Sequence, residues 1–133
     1  REAALLHDIG KLNLPEEILH KTGALTPEEM EVIKKHLELG AKILDPMKFF
    51  RPITTLLYHH HERYDGKGYP HGLTGEFIPS GAQVITIADS FDAMTTNRGY
   101  NKPKNVQEAI EEMHKGSGTQ FNPQFVEAFI QTL

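Results

Sequence analysis

The sequence predicts an all-α domain, and three observations carry that prediction. Apolar residues recur every three or four positions along most of the chain. Two segments open with helix-start signals built around proline. Val84-Ile85-Thr86-Ile87, which read alone is a strand, has no second strand to pair with.

Residues 1–10 read as helix interior from Arg1 onward, with apolar positions continuing to Ile9 and a stop at Gly10. Leu14-Pro15-Glu16-Glu17 restarts a short helix with proline in its first turn. Thr26-Pro27-Glu28-Glu29 has the form of a capping box, in which Thr caps and Glu29 reaches back. Behind it Met30, Ile33, Leu37, Ala41 and Leu44 predict one long amphipathic helix ending before Pro46. Phe49 to about Glu62 gives another helix, with Ile53, Leu56 and Leu57 on its apolar face. From Tyr64 to Pro79 the period vanishes among glycines 66, 68, 72 and 75 and prolines 70 and 79, a long Gly/Pro-rich loop of the kind that carries function or is disordered. The segment around 84–94 is apolar nearly all round and is expected to be central. Residues 105–113 and 123–133 form two last helices, parted by Gly116-Ser117-Gly118.

Composition narrows the function. A length of 133 residues fits a single domain, 1–133. No apolar run is long enough to span a bilayer, so no membrane partner is expected of this domain. A formal net charge of −4 argues against a DNA or RNA duplex held on a basic face. The chain has no cysteine, which excludes disulfides, thiolate metal sites and cysteine nucleophiles, so any metal is held by nitrogen and oxygen. Eight histidines are the anomaly.

His7-Asp8, with Lys11 one turn on, alone reads as a surface pair near a helix end. Recurrence changes that reading. His36 interrupts an apolar helix, His59-His60-His61 ends the next, and Asp89 lies within the most hydrophobic helix, where a carboxylate needs a cation. His7, Asp8, His36, His60, His61 and Asp89 are more ligands than one tetrahedral ion uses, which points to two ions with Asp8 as a bridge. His20, His71 and His114 read as surface histidines, His59 as supporting a ligand from behind or as structural, and Asp92 as orienting a ligand or neighbouring backbone. Gly40 is expected to permit close helix packing near His36.

Four stretches resemble the HD-GYP domains of the HD phosphohydrolase superfamily: Leu6-His7-Asp8-Ile9-Gly10-Lys11, His36-Leu37-Glu38-Leu39-Gly40, His60 through Pro70, and Ile87 through Met94. The resemblance implies an HD-domain helical bundle that hydrolyses cyclic di-GMP to a linear dinucleotide or GMP in bacterial signalling, in the cytoplasm, with two or three divalent metal ions, iron or manganese. By position it implies His7, Asp8, His36, His60, His61 and Asp89 as metal ligands, Asp8 and Lys11 as catalytic, and Arg98, Lys102 and Tyr69 as contacts to substrate. Gly68-Tyr69-Pro70 has two readings, a turn shaping the pocket edge or a surface for a protein partner. The alternative function is a non-catalytic signalling module acting through metal or partners.

Two departures stand out. Where the family reads Asp-Arg-Pro-Tyr and then a basic residue, this chain has Asn97, Gly99 and Asn101, with Lys102 one place late. The family also carries another ligand on a helix before the His-Asp pair, and only six residues precede His7. A truncated domain fused to an upstream sensor or receiver is therefore expected, with the uncovered apolar surface of helix 1–10 and of the helix around Phe91 buried by further residues or in a homodimer.

Overall fold

The computed structural model describes residues 2–97 and 102–133. Among them the fold is helical, with two isolated β-bridges and no strand. The chain divides into two compact units, residues 1–60 and 61–133.

The first unit holds α1 (Glu2–Leu6), α2 (Glu16–Leu19), α3 (Pro27–Lys34), α4 (His36–Leu44) and α5 (Arg51–Tyr58), with 3-10 turns at Ile9–Asn13 and Lys48–Phe50. The capping box forms as its residues predict: Glu29 donates its N–H to Thr26 Oγ1 at 3.3 Å, and Thr26 donates its own to Glu29 Oε2 at 2.7 Å. α4 packs on the Ile9–Asn13 turn and on α5, which also receives α1. Leu14, Leu37, Leu44 and Leu57 fill the core together with the buried rings of His36 and His60.

The long helix expected behind Thr26 is two helices, α3 and α4, parted at Lys35. In an unbroken helix the Ile33 carbonyl would accept from the N–H four residues on. Here it faces Nδ1 of His36 at 2.7 Å, so a side chain competes with the ladder at the break.

The second unit holds α6 (Ser80–Thr95), α7 (Val106–Gly116) and α8 (Pro123–Ile130), with a 3-10 turn at Gly75–Phe77. Ile87, Met113, Phe121 and Val126 make its core, and Phe91 and Phe129 pack on it with ring centres 5.2 Å apart. α6 is not central all round: Val84 is 54% exposed, and Ala88 and Ala93 are exposed as well. α7 and α8 cover only part of its surface.

The loop from Tyr64 to Pro79 is ordered. Tyr64 and Asp65 donate their N–H groups to the carbonyls of Gln120 and Thr119, and Gly75 donates to Tyr64. Arg63 forks onto both oxygens of Asp65 at 3.1 and 2.9 Å. No helix among the described residues is long and apolar enough to cross a membrane.

Candidate metal centre

Three histidines of the first unit stand at helix ends and are held in one way. His7 follows α1, His36 follows the break after α3, and His60 lies two residues beyond α5. In each, Nδ1 faces the backbone carbonyl three residues earlier: Ala4 at 2.8 Å, Ile33 at 2.7 Å and Leu57 at 2.6 Å. A carbonyl only accepts, so the proton sits on Nδ1 and the lone pair on Nε2, the arrangement that fixes ligand histidines by a bond on the far side of the ring. The carbonyls at a helix C-terminus also carry partial negative charge, which favours a cation nearby.

The rings converge. His60 is edge-on to His7 at 5.1 Å between centres and to His36 at 5.6 Å. Asp8 joins them, with Oδ2 3.4 Å from Nε2 of His7 and Oδ1 3.7 Å from Nε2 of His36. One ligand atom each from His7, Asp8 and His60 lie within 4.8 Å of one another. Asp8 Oδ1 is buried and accepts no hydrogen bond. Imidazole nitrogens and a carboxylate oxygen in this arrangement suit a divalent transition metal, so the residues present fit the ion expected of them.

Electrostatics agree. Burial pushes the Asp8 carboxyl up, but the adjoining His7 ring and the Lys11 ammonium, which donates to it, outweigh burial and hold the group well below the usual carboxylate range. Lys11 Nζ donates to Asp8 Oδ2 at 2.6 Å. Burial lowers His36, and lowers His60 to about 4, so both rings are neutral near pH 7, the form a metal needs.

His7, Asp8, Lys11, His36 and His60 are thus gathered as the sequence suggested. His61 and Asp89 belong to the second unit. Asp89 is half-buried, not buried as its apolar neighbours implied. His61 stacks on Tyr69, with ring centres 4.9 Å apart and planes 24° from parallel. Lys102 is exposed, and Arg98 lies outside the described residues. His20, His71 and His114 are exposed, and Asp92 accepts from Thr96 Oγ1 at 3.0 Å.

Sequence reasoning missed two residues. A Cβ on Gly10 would overlap the carbonyl oxygen of His36, so it is Gly10 more than Gly40 that lets these elements meet. Glu62 is 2% exposed, and its carboxylate accepts the N–H groups of His71 at 2.8 Å and Leu73 at 3.0 Å. The signal for Glu62 was its place beside the histidines and ahead of a glycine-rich loop, where free main-chain donors need an acceptor.

Comparison with known proteins follows the same line. The profile of the HD domain family matches residues 1–125. A cyclic di-GMP phosphodiesterase of Thermotoga maritima is 46% identical over 133 residues, covering 97% of this chain and 36% of that protein. A 3'3'-cGAMP-specific phosphodiesterase of Vibrio cholerae is 37% identical over 133 residues, covering 98% of this chain and 26% of that protein. The crystal structure of a cyclic GMP-AMP specific phosphodiesterase from Vibrio cholerae superposes with a TM-score of 0.69 at 18% identity, over 96% of this chain and 36% of the other. The chain thus spans about a quarter to a third of the length of the relatives it matches.

Proposed function

The chain belongs to the HD domain family, in which it resembles the HD-GYP members, and from that premise we propose that it hydrolyses a phosphodiester bond of a cyclic dinucleotide. Cyclic di-GMP is the substrate of this reading and a linear dinucleotide or GMP the product, in bacterial signalling in the cytoplasm. The observation that carries it is the convergence of His7, Asp8, His36 and His60 with Lys11 against Asp8.

HD domains are metal-dependent, and two or three divalent ions, iron or manganese, supply positive charge to the phosphate and a water acidic enough to attack it near neutral pH. His7, Asp8, His36 and His60 would hold them. His61 and Asp89 join this ligand set by their sequence positions. Asp8 has an oxygen for each side: Oδ1 toward His36, Oδ2 toward His7 and Lys11. Lys11 offers donors and no lone pair, so its ammonium serves a phosphate oxygen or protonates the leaving oxygen. Asp8 holds that ammonium beside the donor cluster, which keeps a proton where the leaving group needs one. Arg98, Lys102 and Tyr69 contact substrate in this reading.

Residues 1–133 are proposed as one HD-GYP domain of a longer signalling protein with an upstream sensor or receiver, in keeping with the short share of its relatives that it spans. A second substrate reading, 3'3'-cGAMP, is favoured by the Vibrio cholerae relative's name. The test is elemental analysis of the complete protein, with turnover of both cyclic dinucleotides under anaerobic iron or manganese. Turnover of cyclic di-GMP with about two or more metals per chain is expected. A metal-loaded protein that hydrolyses neither would leave the non-catalytic alternative.

A further inference from the structure

Within the second unit, residues 61–73 form a ring closed at three points. Gly68 comes back against the segment it left: a Cβ there would overlap the Arg63 nitrogen and fall 2.5 Å from the His61 oxygen and 2.6 Å from Glu62 Cα. Tyr69 then donates its N–H to the His61 carbonyl at 3.2 Å and lays its ring on the His61 imidazole. Beyond the Tyr69-Pro70 turn, the chain is tied by the Glu62 carboxylate: one oxygen takes the N–H of His71, the other that of Leu73. A carboxylate 2% exposed is costly to bury unless such donors meet it, so both partners lose if the clamp opens.

We propose that Glu62 is a positioning residue: by clamping the main chain at His71 and Leu73 it fixes the Tyr69 ring against His61. The chain on either side of Tyr69 is then held, at Gly68 by close packing and at 71 and 73 by the carboxylate, so the backbone that carries the ring is fixed beside His61. This role rests on the reading above, in which His61 binds metal and Tyr69 touches substrate. Both oxygens of Glu62 accept from main-chain donors, the arrangement of a brace.

Glu62→Gln tests this at constant size, because an amide accepts at one end only and turns a second donor toward an N–H. In the variant, amide exchange at His71 and Leu73 should accelerate at least tenfold, and the ring-current shift that Tyr69 imposes on the His61 protons should diminish. The complete protein should lose roughly tenfold in kcat/KM for cyclic di-GMP, mainly through KM, with metal content unchanged. Wild-type exchange rates and His61 shifts in the variant overturn the proposal, as does loss of metal with the loop intact, which would make Glu62 a ligand. Should the variant fail to fold, the wild-type chain decides: protected amides at 71 and 73 support the clamp, and exchange at unstructured rates overturns it. If the wild-type protein turns over no cyclic dinucleotide, the functional reading fails while the exchange and shift measurements still judge the clamp.

Discussion

The backbones of Gly10 and His36 meet so closely that no side chain fits between them. A Cβ on Gly10 would overlap the His36 carbonyl oxygen and fall 2.6 Å from the Gly40 nitrogen. All these atoms are main chain, so the clash is relieved only by moving the Ile9–Asn13 turn off α4. That movement would part Asp8 from His36, whose Oδ1 and Nε2 now lie 3.7 Å apart.

Gly10→Ala is therefore expected to destabilise the chain by about 3 kcal/mol or more and to lower metal content with it. Gly40→Ala is the control. Its Cβ would sit 3.4 Å from the Gly10 nitrogen and 3.6 Å from Ile9 Cγ2, near ordinary contact, and alanine suits a helix interior better than glycine by roughly 1 kcal/mol. Urea unfolding should place Gly40→Ala within about 1 kcal/mol of wild type. Equal effects at the two positions would contradict this assignment of the close approach.

Lys11→Ala separates chemistry from metal binding. Losing a donor that stabilises developing charge typically lowers kcat by about 100-fold or more. The ligand atoms of His7, Asp8, His36 and His60 are untouched, so metal per chain should stay at the wild-type value. A variant that loses its metal, or one that keeps full activity, rules out this role.

Much of this was legible in the sequence, and most of the misses share a cause. Thr26 and Glu29 specify a cap through contacts three residues apart, so their pattern decides the local structure. The histidines were visible because imidazoles among apolar neighbours demand partners. The break at Lys35 was not, since a heptad-like run of apolar residues says nothing of a side chain that takes a carbonyl from its own helix. Gly10 and Glu62 act on backbone brought near by folding, across 26 residues in one case and along a loop of irregular conformation in the other. Val84 and Ala88 misled for the opposite reason: apolar residues are tolerated outside, so an all-round apolar helix does not establish burial.

Acid should unfold the metal-free chain sooner than its carboxylates alone would. His60 is held down to about 4 in the folded chain by burial, whereas in the unfolded chain it protonates near 6.5. Below that value the unfolded state binds more protons, so stability falls as pH falls and levels off near 4, where the folded state takes the proton as well. The gap amounts to on the order of 3 kcal/mol, and His36, also lowered by burial, adds to it in the same direction. Urea midpoints of the metal-free chain measured from pH 7.5 to 4 should decline through this window. A flat profile between 6.5 and 4 would refute the buried neutral state of His60.

Metal removal and His36→Asn together test whether the imidazole's two nitrogens divide their labour. The amide nitrogen of asparagine can take the place of Nδ1 and donate to the Ile33 carbonyl, but nothing in it replaces Nε2. The metal-free variant should then lose only about 1–2 kcal/mol, from the smaller side chain at a position 1% exposed. With metal the two chains should diverge. At a free metal concentration 100 times the dissociation constant, the wild type gains about 2.7 kcal/mol, and a chelator should remove that gain. A ligand loss that weakens binding about 100-fold leaves the variant near half saturation at the same concentration, with a gain of roughly 0.4 kcal/mol. Thermal unfolding with and without iron or manganese reads both numbers. A metal-dependent rise in Tm as large in His36→Asn as in the wild type would take His36 out of the ligand set, while a collapse of the metal-free variant would show that the ring is held for packing and not for its second nitrogen.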